Sequence, residues 1–247
     1  MENHVVIHID SGVLEIQLSR PEKKNALTNQ MYGCITEVML QALENDEIHV
    51  ILFSAIGNMF TAGNDLVDFV EISESPNVEP KAQEFIQLLA EYRKPIVAAV
   101  TGSAIGIGTT MLLHCDLVYI AENAKLLAPF VNLALVPEAG SSLLLAARIG
   151  HVRAFGMFSL GESISGIEAA QLGLANAAVP ATEVLDLARF KAKELAKKTV
   201  KAIEQTKLLM RDSHLILEQI NLENTYFSER LRSSEAKEIF RNFIEKK

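Results

Sequence analysis

Three short stretches hold residues whose types and spacing suit carbonyl chemistry. Phe60-Thr61-Ala62-Gly63-Asn64-Asp65-Leu66 and Gly102-Ser103-Ala104-Ile105-Gly106-Ile107-Gly108 are glycine-containing turns. Each follows an apolar stretch of strand character and precedes a helical pattern. The third stretch, Val136-Pro137-Glu138-Ala139-Gly140, carries one carboxylate. A strand-turn-helix junction exposes backbone N–H groups that lack an intrahelical partner and carry partial positive charge. Two such junctions can aim two donors at one oxygen, which is an oxyanion hole, with Glu138 as the acid/base beside it. Residues 133–147 are nearly all apolar or small apart from Glu138. Burial there is expected to raise its pKa toward the working pH.

The elements that must position these groups follow from periodicity. Residues 5–9 and 13–18 alternate around Ser11-Gly12 and predict a β-hairpin. Asn25-Ala26-Leu27 leads into a helix over 28–44, and 50–54 is a short apolar strand before the first turn. Segment 72–80, with Ser73, Ser75, Pro76 and Pro80, is expected to be a mobile loop. A helix over 81–92 should stop near Lys94-Pro95. Then come a buried strand at 96–100, a helix over 106–114, and strands at 117–121 and 126–128. A helix after Glu138 ends near Gly150, and Ser165-Gly166-Ile167-Glu168 has capping-box spacing. The last strand is expected at 175–179. Beyond Pro180 the strand-like alternation ceases, and amphipathic helices follow, broken near Thr199 and Ser213. The expected division is a core over 1–181 and a helical region over 182–247 that needs a partner surface, either the core or another subunit.

Composition bounds the ligand. The chain has 247 residues, is 49% hydrophobic and carries a formal charge of −8. The length is ample for a packed core. The charge argues against nucleic acid, which needs a basic face. Cys34 and Cys115 lie far apart and read as two reduced, buried thiols. The six histidines are scattered and form no H-E-x-x-H, so no metal site is expected. The first residues show no signal-peptide pattern, and the last three are not a peroxisomal tripeptide. The uncharged run 95–113 is too polar and too broken by glycine for a membrane span. The expectation is a cytoplasmic protein without a membrane partner.

One motif invites a different reading. Thr101-Gly102-Ser103-Ala104-Ile105-Gly106-Ile107-Gly108 spells the T-G-x-x-x-G-x-G nucleotide turn of short-chain dehydrogenases. That turn belongs after the first strand, yet residues 1–100 precede it here. The residues four after Tyr32, Tyr92, Tyr119 and Tyr226 are Thr36, Ile96, Asn123 and Arg230, so no Tyr-x-x-x-Lys acid exists. The motif is therefore set aside.

The ordered set of motifs resembles the crotonase (enoyl-CoA hydratase/isomerase) superfamily over nearly the full chain. Arg20-Pro21 with Asn25-Ala26-Leu27 matches its "RP…NAL" element, and Phe60 to Leu66 matches F-[ST]-A-G-x-D-[LF]. Lys94-Pro95-Ile96-Val97-Ala98-Ala99-Val100-Thr101-Gly102, Gly106 and Cys115-Asp116 match "KPxIAAVxGxAxGxG…CD". Ala170 to Leu174 and Glu235-Ala236-Lys237-Glu238 match later elements. The resemblance implies an α/β spiral of repeated ββα units, with C-terminal helices that build homotrimers or homohexamers. It implies an acyl-CoA thioester substrate and no separate cofactor, coenzyme A being part of the substrate. The oxyanion donors would be the N–H groups of Asn64 and Ile107. Lys24, Ala26, Ala62, Asn64, Asp65, Leu66, Val67 and Ile107 would line the CoA thioester, and the Ile107 side chain would shape the acyl pocket.

Counting carboxylates narrows the reaction. Hydratases of the family resemble one another in using two glutamates, and the matching positions here are Thr110 and Phe130. Neither transfers a proton at neutral pH. Glu138 occupies a third family position, used by isomerases that carry a single glutamate. The expectation is thus a Δ3-Δ2-enoyl-CoA isomerase. The rivals are a hydratase-type lyase, which needs a second acid, and a non-catalytic acyl-CoA-binding protein on the same fold. Asp65 reads as a helix-start residue, Asp116 as structural, and His114 as a satisfied core residue. Ser141 and Ser142 are expected to support the helix start near Glu138, and without a placed histidine neither is a nucleophile.

Overall fold

The most apolar strands are the central, parallel ones. In a computed structural model, which describes residues 4–74 and 80–245, all six positions of β3 (Val50–Ala55) and all five of β5 (Ile96–Val100) are buried. Strands covered on both faces require such continuous runs. They sit inside a six-stranded sheet of order β1-β2-β3-β5-β7-β10. Its other members are β1 (Val5–Asp10), β2 (Val13–Leu18), β7 (Leu117–Ala121) and β10 (Ala177–Val179). The β1–β2 hairpin is antiparallel and every other pairing in this sheet is parallel.

A second sheet, of order β4-β6-β8-β9, is built from very short strands. These are β4 (Met59–Thr61), β6 (Ser103–Ile105), β8 (Lys125–Leu127) and β9 (Ile164–Ser165). Sequence reading assigned the residues of β4 and β6 to the turns themselves. Three residues are too few for a period-2 pattern to show. The consequence is a repeat: a long strand in the first sheet, a short strand in the second, then a helix. Two helices follow this rule, namely α2 (Leu66–Glu74) after β4 and α4 (Ile107–Thr110) after β6, whereas α7 (Gly166–Gln171) follows the short β9 with the helix His151–Ser159 before it.

The other helices are α1 (Asn29–Glu44), α3 (Lys81–Glu91), α5 (Ser141–Ile149) and α6 (His151–Ser159). Thr28 caps α1 by accepting the Met31 N–H, and Ser165 with Glu168 forms the expected capping box. The helix expected over 106–114 is α4 continued by a 3-10 turn, Met111–His114. Helix α6 had no counterpart in the sequence reading. It starts after Gly150 without a side-chain cap, so it lacks the usual start signal. Of the segment expected to be a mobile loop, 72–74 continue α2, and 75–79 lie outside the described residues.

After Pro180 the described chain is helical: α8 (Ala181–Ala196), α9 (Val200–Met210), α10 (Ser213–Leu231) and α11 (Ser234–Glu245). Helix α8 lies on the first sheet, against β3, β5 and β7. Its buried face is Val184, Ala188, Ala192 and Ala196, spaced at four. Arg189 on the same helix grips the buried Glu15 of β2 through Nε and Nη2, at 2.8 and 3.0 Å. Ser54 Oγ donates to that carboxylate as well, at 2.6 Å. Helix α10 packs on α3 and α5, and α11 on α2. The partner surface for α8, α10 and α11 thus includes the core of the same chain.

Candidate active site

The first turn is held from below by the Arg20–Leu27 segment. Asn25 is wholly buried. Its Oδ1 accepts the Arg20 N–H at 2.8 Å, and its Nδ2 donates to the carbonyls of Ile56 and Met59, each at 2.9 Å. Thr61 Oγ1 donates to the Asn25 carbonyl at 2.6 Å and accepts the Gly63 N–H at 3.1 Å. The backbone then zips in parallel. Ala62 N–H donates to the Lys24 carbonyl, Leu27 N–H to Gly63 and Asp65 N–H to Leu27, all at 2.8–2.9 Å. Arg20 donates to Asp65 Oδ2 at 2.6 Å and to the Ala26 carbonyl at 3.0 Å. Asp65 also accepts the Val67 N–H at 2.9 Å, which starts α2. The residues expected to line a ligand at Lys24, Ala26, Ala62 and Asn64–Val67 therefore form one continuous strip. Lys24 is exposed and Val67 is 62% exposed, so this strip reaches the surface.

The two glycine turns touch. Gly63 has φ +90°, and a Cβ built on it would lie 2.7 Å from the Ile105 carbonyl oxygen and 3.8 Å from Gly106 Cα. Only glycine permits both this backbone angle and this approach. Asn64 and Ile107, the residues directly after these contacts, are thereby brought to neighbouring positions. Neither of their N–H groups donates to an acceptor among the described residues. Ile107 opens α4, where the first N–H groups have no intrahelical partner. One expectation needs correction. The Ile107 side chain belongs to the buried hydrophobic core at 0% exposure, so it faces core side chains instead of shaping an open acyl pocket.

Glu138 comes to the same place. Its carboxyl lies 3.5 Å from Asn64 Nδ2, and the residue is 4% exposed. Burial is the main cause that lifts its pKa to about 8, and the negative charge of Glu223 lifts it further. The Asn64 amide pulls in the other direction. Sequence reasoning missed how that amide is aimed. The Tyr32 hydroxyl of α1 donates to Asn64 Oδ1, which leaves Nδ2 pointing to Glu138. Tyr32 is 2% exposed, and its own pKa is raised by burial first and by the Glu138 charge second. A lone tyrosine on the buried face of a helix gives no sequence signal beyond core packing.

The other residues singled out fall into place as supports. His114 is wholly buried and neutral, its pKa pushed down to about 3 by burial, and its Nε2 meets the Ala139 carbonyl at 2.7 Å. Arg211 contacts its Nδ1. Asp116 accepts the Ile96 N–H at 2.8 Å and Lys207 Nζ at 2.7 Å, a structural tie between β5 and α9. Ser142 supports the start of α5, whereas Ser141 Oγ is buried with no partner among the described residues, which corrects the expectation for that side chain. Thr110 and Phe130 are buried and supply no carboxylate. The second buried carboxylate near Glu138 is Glu223 from α10, for which the helical pattern beyond Pro180 gives no site signal.

A cavity of about 670 Å³ lies elsewhere, between α9 and the core beside Asp116, Arg148 and Lys207. Its lining includes none of Asn64, Ile107 and Glu138. The chemistry is placed at Glu138 because unpaired donors and a buried, perturbed carboxyl converge there, and size alone does not make a site.

Comparison with known proteins gives the family and the fold. A family model described as enoyl-CoA hydratase/isomerase matches residues 8–247, and the chain belongs to that family. The 1,2-epoxyphenylacetyl-CoA isomerase of Escherichia coli K12 is 29% identical over 255 residues, spanning 100% of this chain and 97% of the relative. The 2,3-dehydroadipyl-CoA hydratase of the same organism is 29% identical over 220 residues, 89% of this chain and 86% of the relative. A structure of Pseudomonas aeruginosa OdaA superposes with a TM-score of 0.92 at 42% identity, covering 98% of this chain and 99% of the other. The expected crotonase-type fold is thereby shown. No helix among the described residues is long and apolar enough to cross a membrane.

Proposed function

We propose that this acyl-CoA-processing enzyme is a Δ3-Δ2-enoyl-CoA isomerase. The observation that carries the reading is the carboxyl inventory: Glu138, buried and with a pKa near 8, lies beside Asn64, whose backbone N–H is unpaired among the described residues. The thioester carbonyl accepts from the N–H groups of Asn64 and Ile107. Removal of a C2 proton then places charge on an oxygen that is already stabilised. The Glu138 carboxylate takes that proton, giving an enolate and a neutral carboxyl. The carboxyl returns the proton to C4, and the double bond moves from C3–C4 to C2–C3. No water enters the reaction. A hydratase needs a second acid facing the substrate. Glu223 does not supply it, because its oxygens already accept from Gly140 and Ser142. The Lys24–Ala26 and Ala62–Val67 strip, with its exposed outer end, holds the CoA portion. Assembly into trimers or hexamers is part of the same proposal, supported by the exposed apolar run Leu208, Leu209 and Met210 of α9.

The test is an ultraviolet assay of 3-hexenoyl-CoA conjugation with crotonyl-CoA hydration in parallel. The proposal expects conjugation at least 100-fold faster than hydration. Faster hydration would replace it with the hydratase reading, and binding without either reaction would favour a non-catalytic role.

A further inference from the structure

We propose that Glu223, delivered by α10, is a positioning residue for this reaction: it holds the backbone of the Glu138 turn and places a fixed negative charge behind the base. The inference rests on the proposed isomerase site but concerns a residue outside it. The turn is unusual. Ala139 and Gly140 both adopt left-handed conformations, with φ +64° and +66°. For alanine this conformation is strained, so the turn needs external restraint. Three donors from it converge on one carboxylate. Gly140 N–H donates to Glu223 Oε2 at 2.6 Å, Ser142 N–H to Oε1 at 2.9 Å, and Ser142 Oγ to Oε1. Gln219, one turn earlier on α10, donates from Nε2 to Ser142 Oγ at 2.8 Å. The Ser142 hydroxyl thus accepts from Gln219 through one lone pair while it donates to Glu223.

The apolar part of the same helix face closes the contact. A Cβ added to Gly140 would sit 3.3 Å from Ile216 and 3.5 Å from Ile220. Ile216, Gln219, Ile220 and Glu223 share one face by the spacing of three and four. Glu223 is 5% exposed. Burial raises its pKa, and the donors from Ser142 and Gly140 oppose that rise. Each Glu223 oxygen accepts a backbone N–H, from Gly140 on Oε2 and Ser142 on Oε1, and these groups can only donate, so the geometry fits the ionised form. The N-terminal end of α5 offsets that charge. The titratable groups facing Glu138 are Glu223 from α10 and the Tyr32 phenol from α1. Behind the turn, the neutral His114 ring meets the Ala139 carbonyl. Of these, Glu223 is the group whose hydrogen-bond geometry fits a negative charge. Its loss therefore makes Glu138 easier to ionise.

The experiment compares Glu223→Gln and Ser142→Ala with the wild-type chain, by kcat/KM against pH for 3-hexenoyl-CoA and by a carbon-13 NMR titration of glutamate carboxyls assigned with Glu138→Gln. Glu223→Gln is expected to move the acidic limb, and the Glu138 titration, down by about one pH unit, with kcat at least 10-fold lower. Ser142→Ala keeps the charge, so its limb stays in place while kcat falls several-fold at unchanged KM. A folded Glu223→Gln whose Glu138 titrates as in the wild type overturns the proposal. If that variant does not fold, an unchanged kcat in Ser142→Ala overturns it. The NMR arm needs no turnover. Absence of isomerase activity would thus count against the functional reading, while the carboxyl titration still decides the role of Glu223.

Discussion

At the scale of residues, the account turns on a carboxyl kept neutral by its surroundings and needed as a carboxylate. Glu138 with a pKa near 8 is mostly protonated at pH 7. The rate constant kcat/KM should therefore rise with pH and level off above about 8, since it follows ionisation of the free enzyme. Asn64→Ala removes the neighbour that lowers this pKa, so its limb should lie at higher pH than in the wild type. A limb near pH 4.5 in the wild-type chain would contradict the assignment. The same shift has a stability consequence. Between the ordinary carboxyl pKa of 4.5 and about 8, the folded chain holds a proton that the unfolded chain releases. This group's contribution to stability therefore falls as pH rises through that window. Glu138→Gln does not ionise and escapes the loss, which is worth about 1.4 kcal/mol per pH unit. Its Tm should match the wild type near pH 4.5 and exceed it by several degrees at pH 8, as thermal melts across that range would show.

At the scale of elements, the site depends on two short strands delivering two turns to one point. Gly63→Ala tests this. Its Cβ would meet the Ile105 carbonyl at 2.7 Å, so the turn must move and carry the Asn64 N–H with it. The expected loss in kcat is about 10²- to 10³-fold, the usual effect of one displaced oxyanion donor. Melting should show a loss of about 1–3 kcal/mol, and wild-type kcat in the variant would contradict the placement. The glycines, the buried strands β3 and β5, and Glu138 were all legible in the sequence, because each obeys a local rule of backbone or burial. Strands β4 and β6 were not, since three residues leave no pattern. Tyr32 and Glu223 were not legible either. Each acts over a long separation, one from α1 on Asn64 and the other from α10 on the Glu138 turn. Their sequence surroundings show only helix. What local patterning cannot carry is which helix face will meet a distant turn.

At the scale of the whole molecule, the C-terminal helices do two things. Helices α8, α10 and α11 seal the core of their own chain, and α10 supplies the clamp on Glu138. Helix α9 buries no residue and leaves Leu208, Leu209 and Met210 exposed at 70%, 88% and 83%. A contiguous apolar edge of this kind favours burial against another chain. Sedimentation at micromolar concentration should give a mass of three or six times the 27.1 kDa chain. Leu209→Glu should lower that mass, whereas a monomeric wild-type protein would refute the assembly.

The most direct test of the central claim is conjugation of 3-hexenoyl-CoA by the Glu138→Gln variant, measured beside its affinity for the same thioester. The account predicts a fall in turnover of at least 10³-fold with affinity changed less than about threefold, since the base is lost and the N–H groups of Asn64 and Ile107 remain. Turnover within tenfold of the wild type would contradict it, because the proton would then be moving through a group other than Glu138.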